Sequence, residues 1–113
     1  MKKNMKLWVK ELYGTQPKKA IPVLSFPCVS LLGITVRELI SDSELQAKGM
    51  KAVADRTDAA ASVSFMDLSV EAEAFGATIC VSDDEVPTVK GRLVSDEDEA
   101  EALEIPEVGS ART

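Results

Sequence analysis

The chain contains no histidine among its 113 residues. That absence removes the commonest general base, the commonest metal ligand and every Ser-His or Cys-His nucleophile arrangement. Chemistry by this chain alone falls to carboxylates, lysines, Tyr13 or the thiols. Aromatic residues are scarce: Trp8, Tyr13, Phe26, Phe65 and Phe75 are all of them. The core must therefore come from Val, Leu, Ile, Ala and Met. Cys28 and Cys80 are the only cysteines. Neither has a Cys or His neighbour in sequence, so no zinc site is expected within the chain. No apolar run approaches the roughly 18 residues of a membrane span. The N-terminal lysines are followed by no apolar stretch of signal-peptide length. The expected compartment is the cytoplasm, with reduced thiols, and Cys28 reads as a small buried thiol, a reactive one being the alternative. The glycines form no GxGxxG or P-loop pattern, so nucleotide binding has no support.

What is present bounds the class. The length implies one domain, and a 45% hydrophobic content implies a folded chain. A net charge of −6 argues against nucleic acid as a partner. The charge is unevenly spread. Residues 1–19 hold six lysines against one glutamate, and residues 82–105 hold nine acids against Lys90 and Arg92. The basic segment reads as a solvated helix face, a membrane or nucleic-acid contact being the sharper alternative.

Hydrophobic spacing gives a coarse element order. Met5, Trp8, Val9 and Leu12 fall on one helical face, with Asn4 placed to cap the start and Gly14 to end it. Ile21 to Phe26 reads as a buried strand closed by Pro27, and Leu31-Leu32-Gly33 as a small loop. Thr35-Val36-Arg37-Glu38 is a capping-box pattern opening a short helix to about Ile40. The pattern repeats at Ser41-Asp42-Ser43-Glu44, opening a helix to about Ala54. Gly49 inside that helix implies close packing on a neighbour. Asp58 to Asp67 is too uniformly apolar for a half-solvated strand and reads as a second parallel strand, completing a βαβ crossover. Val70 to Phe75 reads as a helical turn. Segments 77–81 and 86–94 read as an antiparallel hairpin, with Pro87 restricting its second arm. Ser95 is placed to cap a final acidic helix.

Asp67 is the candidate site residue. It sits where the second strand emerges, the end of a parallel strand at which ligands bind. A carboxylate between Met66 and Leu68 needs a partner or a function; the bland alternative is a loop-capping aspartate. Glu71 and Glu73 read as solvated or lysine-paired. The spacing of these acids with Asp83, Asp84 and Glu85 matches no EF-hand loop, and no metal site is expected.

The run Asp67-Leu68-Ser69-Val70-Glu71-Ala72-Glu73-Ala74-Phe75-Gly76 resembles the second-strand motif of the uroporphyrinogen decarboxylase superfamily. It is most similar to the branch of cobalamin-dependent methyltransferases of the methylcobamide:coenzyme M type. Gly14 to Leu24 is similar to the family's opening loop and first strand. Pro87 with its following segment looks like the insertion after strand 2, and Ser95 to Pro106 like the helix and Leu-x-x-Pro step beyond it. The resemblance runs from about residue 5 to residue 112.

The resemblance implies a (β/α)8 TIM barrel, which takes about 250 residues. The expectation is therefore a single partial domain over 1–113: an N-terminal helix, two parallel strands with crossover helices and a hairpin insertion. Zinc and a corrinoid are implied for the full-length family member, but its zinc ligands, a histidine and two cysteines, belong to the later part of the barrel. No cofactor is expected in this chain. Asp67 matches the aspartate that faces the substrate pyrroles in the decarboxylases. Their arginines after the first strand have no counterpart in Ser25 to Leu32, which disfavours a porphyrinogen decarboxylase. The implied function is transfer of a methyl group from a methylated corrinoid to a thiol or other acceptor, with the isolated chain inactive. The alternatives are a non-catalytic interaction domain or split subunit, and a free-standing enzyme using Asp67 as acid or base. A corrinoid protein or a complementary barrel chain is the implied partner, and open strand edges predict self-association.

Overall fold

Local chemistry sets the helices. A computed structural model describes residues 2–112. Asn4 accepts from the Lys6 and Leu7 amides and opens α1 (Met5–Gly14). Beyond Pro27 the chain coils into α2 (Cys28–Leu32), which ends on Gly33 in the left-handed region at φ 67°. The sequence predicted a loop here; a proline at the helix start and a glycine at its end bracket one helical turn instead. Thr35 and Glu38 complete both halves of the capping box at α3 (Val36–Ser41). Asp42, not Ser41, caps α4 (Ser43–Thr57) by accepting from Glu44 and Leu45 amides, because Ser41 is still the last residue of α3. This helix runs one turn beyond Ala54, to Asp58 at φ 47°.

The core lies between α2, α3 and α4. Cys28, Leu39 and Val53 are buried together, with Phe26, Val29, Ile34, Met50 and Phe65 packed around them. Phe26 and Phe65 meet edge to face at 5.3 Å, an arrangement favoured by the ring quadrupoles. Gly49 explains itself here: a Cβ at that position would lie 2.5 Å from Cys28 Sγ. The helix thus accepts the intrinsic cost of glycine so that α2 can approach it.

The two predicted parallel strands are the main correction. Residues 21–26 and 58–67 form no strand: Phe26 already turns, Ala60 bends and Asp58 is left-handed. They do lie alongside one another in the same direction. Ala60 N–H donates to the Ala20 carbonyl at 2.9 Å, and Met66 N–H donates to Ser25 Oγ at 3.3 Å. A parallel strand buried on both faces needs neighbours on either side and helices above and below. Among the described residues no further strand pairs with either run, and Val23 remains 60% exposed.

The chain continues through α5 (Ser69–Ala74) into β1 (Thr78–Cys80) and β2 (Thr88–Lys90). These pair antiparallel with Ile79 opposite Val89, a hairpin shorter than the predicted arms because Pro87 lies just outside the ladder. Arg37 ties its turn to α3, with Nε 2.8 Å from Asp83 Oδ1 and Nη2 donating to the Val81 carbonyl. Asp96 rather than Ser95 caps α6 (Glu97–Glu101), by accepting from the Glu99 amide. The Ser95 amide instead donates to the Glu99 carboxylate. The result is a small mixed helix and strand unit with a two-stranded antiparallel sheet. Its radius of gyration is 17.8 Å, against about 13 Å for a compact domain of this length, so the unit is open.

Candidate functional site

Asp67 stands at the end of the second extended run, and its side chain is only 3% exposed. Chain direction explains the position. Phe65 packs on the core, so the residues after it leave that core and turn into α5. Oδ1 accepts from Ser69 N–H at 3.0 Å and from Ser69 Oγ–H at 2.6 Å. This is the local loop-capping arrangement of an aspartate.

The other carboxylate oxygen is held from far along the chain. Arg112 Nη1 lies 2.9 Å from Asp67 Oδ2, and Arg112 Nε lies 2.6 Å from Glu73 Oε2. Arg112 Nη2 donates to Ser69 Oγ at 2.9 Å. Glu73, expected to be solvated or lysine-paired, instead shares this guanidinium. Burial acts to lower the Arg112 pKa. The hydrogen bond to Glu73 and the charges of Asp67 and Glu73 outweigh it and raise the value, so the group stays cationic. A buried carboxylate without such a partner would be strongly unfavourable.

The clasp borders a cleft of about 250 Å³. Ile40 and Gln46 line it from the helices, and Phe65 to Leu68, Val70 and Glu71 from the emerging chain, with Arg112. Gln46 and Arg112 also line an adjoining cleft of about 340 Å³ that reaches Asp42 and Ser43. Asp67 and Glu73 share one guanidinium, and Glu71 adds a further acid. The cleft is therefore net negative. Asp67 has both oxygens engaged, which suits a fixed, oriented anion rather than a proton shuttle.

Other candidates fall away. Cys28 is fully buried under Gly49. Burial pushes its thiol pKa up, against a smaller opposing backbone hydrogen bond, so it is the small buried thiol rather than the reactive one. Both cysteines are free. Among the described residues no group of three His, Cys, Asp or Glu could hold a metal ion. The donors among the described residues therefore do not fit the zinc that the resemblance implies. Among those residues no helix is long and apolar enough to cross a membrane.

The sequence singled out Asp67 without a partner for it, and Arg112 was missed. The only available signal was that Arg112 is the single charge after Glu107, in a polar tail with no periodicity.

The two aligned runs, the helices between them and the carboxylate at the emerging end are consistent with a fragment of an α/β domain. Residues 16–112 match the family model described as Uroporphyrinogen decarboxylase (URO-D), and the chain belongs to that family. The matched span begins after α1, and takes in Asp67, Glu71, Glu73 and Arg112. The chain matches no curated protein and no solved structure.

Proposed function

We propose that the chain is the N-terminal part of a corrinoid-dependent methyltransferase of the URO-D family. It would serve transfer of a methyl group from a methylated corrinoid to a thiol or other acceptor, and would be inactive by itself. The sign of charge in the cleft carries this reading. A porphyrinogen presents several carboxylates and requires unpaired cations. The arginine bordering this cleft is already shared between Asp67 and Glu73, and residues 25–32 hold none. In this reading Asp67 is an oriented anion on one wall of the acceptor mouth, with Arg112 and Ser69 fixing its direction. The zinc ligands would come from residues outside 2–112.

A second reading, a split subunit that pairs with a complementary chain, is favoured by the open edge along residues 21–26 and 58–67. The exposed Val23 and Leu68 are side chains that further strands and helices would cover.

The test begins with the native polypeptide from its source, whose mass is compared with 12.1 kDa. It is then assayed for thiol-dependent loss of the cobalt–methyl absorbance of methylcobalamin and for porphyrinogen decarboxylation. Methyl transfer by a heavier species supports the first reading. A species near the calculated mass, active only with a co-purifying chain, supports the second. Porphyrinogen decarboxylation overturns both.

A further inference from the structure

The N-terminal helix carries a feature that the catalytic reading leaves unused. Lys6, Val9, Lys10 and Tyr13 follow i, i+3, i+4, i+7 spacing on α1, and all four are exposed. Neither lysine makes an ion pair among the described residues. Like charges four apart on a helix are mildly destabilising until a counter-charge approaches. Beside this face lies a cleft of about 340 Å³ lined by Trp8, Leu12, Tyr13 and Ile21, and α1 has no buried residue.

The complement is on the same chain. Glu97 and Glu101 repeat the like-charge i, i+4 spacing on α6, which also has no buried residue. Glu97, Asp98, Glu101 and Glu104 make no ion pair among the described residues. Next to them Leu103 is exposed and Ile105 is 93% exposed. One patch is apolar with unpaired lysines and a groove; the other is apolar with unpaired acids and a protruding isoleucine.

We propose that α1 of one copy docks on the 97–105 segment of a second copy, with Ile105 seated in the groove beside Trp8. Two copies related by a two-fold axis make this contact twice, once in each direction, which closes the assembly. An anionic membrane is the weaker occupant for the basic face. Residues 20–113 carry eighteen acids against seven basic residues, and such a surface repels the rest of the molecule.

The experiment is sedimentation of the full chain from micromolar to near-millimolar concentration. Association is expected, weakened about tenfold or more between 20 mM and 500 mM salt. K6E/K10E and, separately, E97K/E101K each weaken it by a similar factor. Both variants alter exposed residues only, and circular dichroism checks that each keeps the helix content of the parent. An equimolar mixture of the two reversed variants restores association as a heteromer, because both contacts then regain opposite charges. The proposal is overturned by a chain that stays monomeric throughout, by association indifferent to either reversal, or by a mixture that fails to recover. Binding of the chain to phosphatidylglycerol vesicles without self-association overturns it in favour of a membrane contact.

Discussion

Arg112 reaches back across 45 residues to lie 2.9 Å from Asp67 Oδ2. This contact closes the tail of the chain onto the candidate site and supplies the countercharge for a buried carboxylate. It also makes the site's anion a fixed part of the fold.

Arg112→Gln should therefore destabilise the chain by about 2 to 3 kcal/mol, because it leaves Asp67 buried without its cation. Asp67→Asn should cost less, about 1 to 2 kcal/mol, since Arg112 retains Glu73 and the amide oxygen can still accept from Ser69. Urea denaturation gives both values. A loss below about 0.5 kcal/mol for Arg112→Gln, the level of an ordinary surface change, would show that the clasp does not form.

Gly49→Ala should cost about 1 to 3 kcal/mol by overpacking, since its Cβ would meet Cys28 Sγ at 2.5 Å. Removing the sulfur should relieve part of this. A double-mutant cycle with Cys28→Ala should show a coupling of about 1 kcal/mol, and strictly additive losses would place the strain elsewhere.

The thiols should differ in chemistry. Cys28 is fully buried and its pKa lies above the ordinary 9.0. The native chain should react with a disulfide reagent first at Cys80, with Cys28 labelled only on unfolding. The unfolded chain loses the Cys28 proton first, so this group's contribution is present below pH 9.0 and declines as pH rises beyond it. Denaturation midpoints measured from pH 8 to 10 in parent and Cys28→Ala read this slope directly.

The α3 cap should be visible in acid. The Thr35 amide and hydroxyl donate to the Glu38 carboxylate and hold its pKa below the ordinary 4.5. Its stabilising effect is present above that value and lost as pH falls through the lower folded value. Thr35→Ala should cost about 1 kcal/mol at neutral pH and only partly flatten the stability profile below pH 4.5, because the amide of residue 35, the larger of the two donors, still reaches Glu38. An unchanged acid profile would mean that the residue 35 amide alone, without the hydroxyl, holds Glu38.

Features that depend on neighbours within four residues were legible in the sequence. Asn4 before α1, the Thr35–Glu38 box and the acidic first turn of α6 state their own hydrogen bonds, because donor and acceptor are one helical turn apart. Gly49 was legible too, as a point of close approach, whereas the apolar runs 21–26 and 58–67, which read as buried strands, are largely half-buried or exposed. The motif from Asp67 to Gly76 pointed to the family. Tertiary structure alone decided the rest. A ladder between the two extended runs requires flanking strands and covering helices, which no pattern inside a run can supply, so apolarity predicted strands that the described residues do not form. The partner of Asp67 was likewise undetermined. A guanidinium finds a buried carboxylate through the path of the whole chain, and nothing local to Arg112 or to Asp67 encodes the meeting.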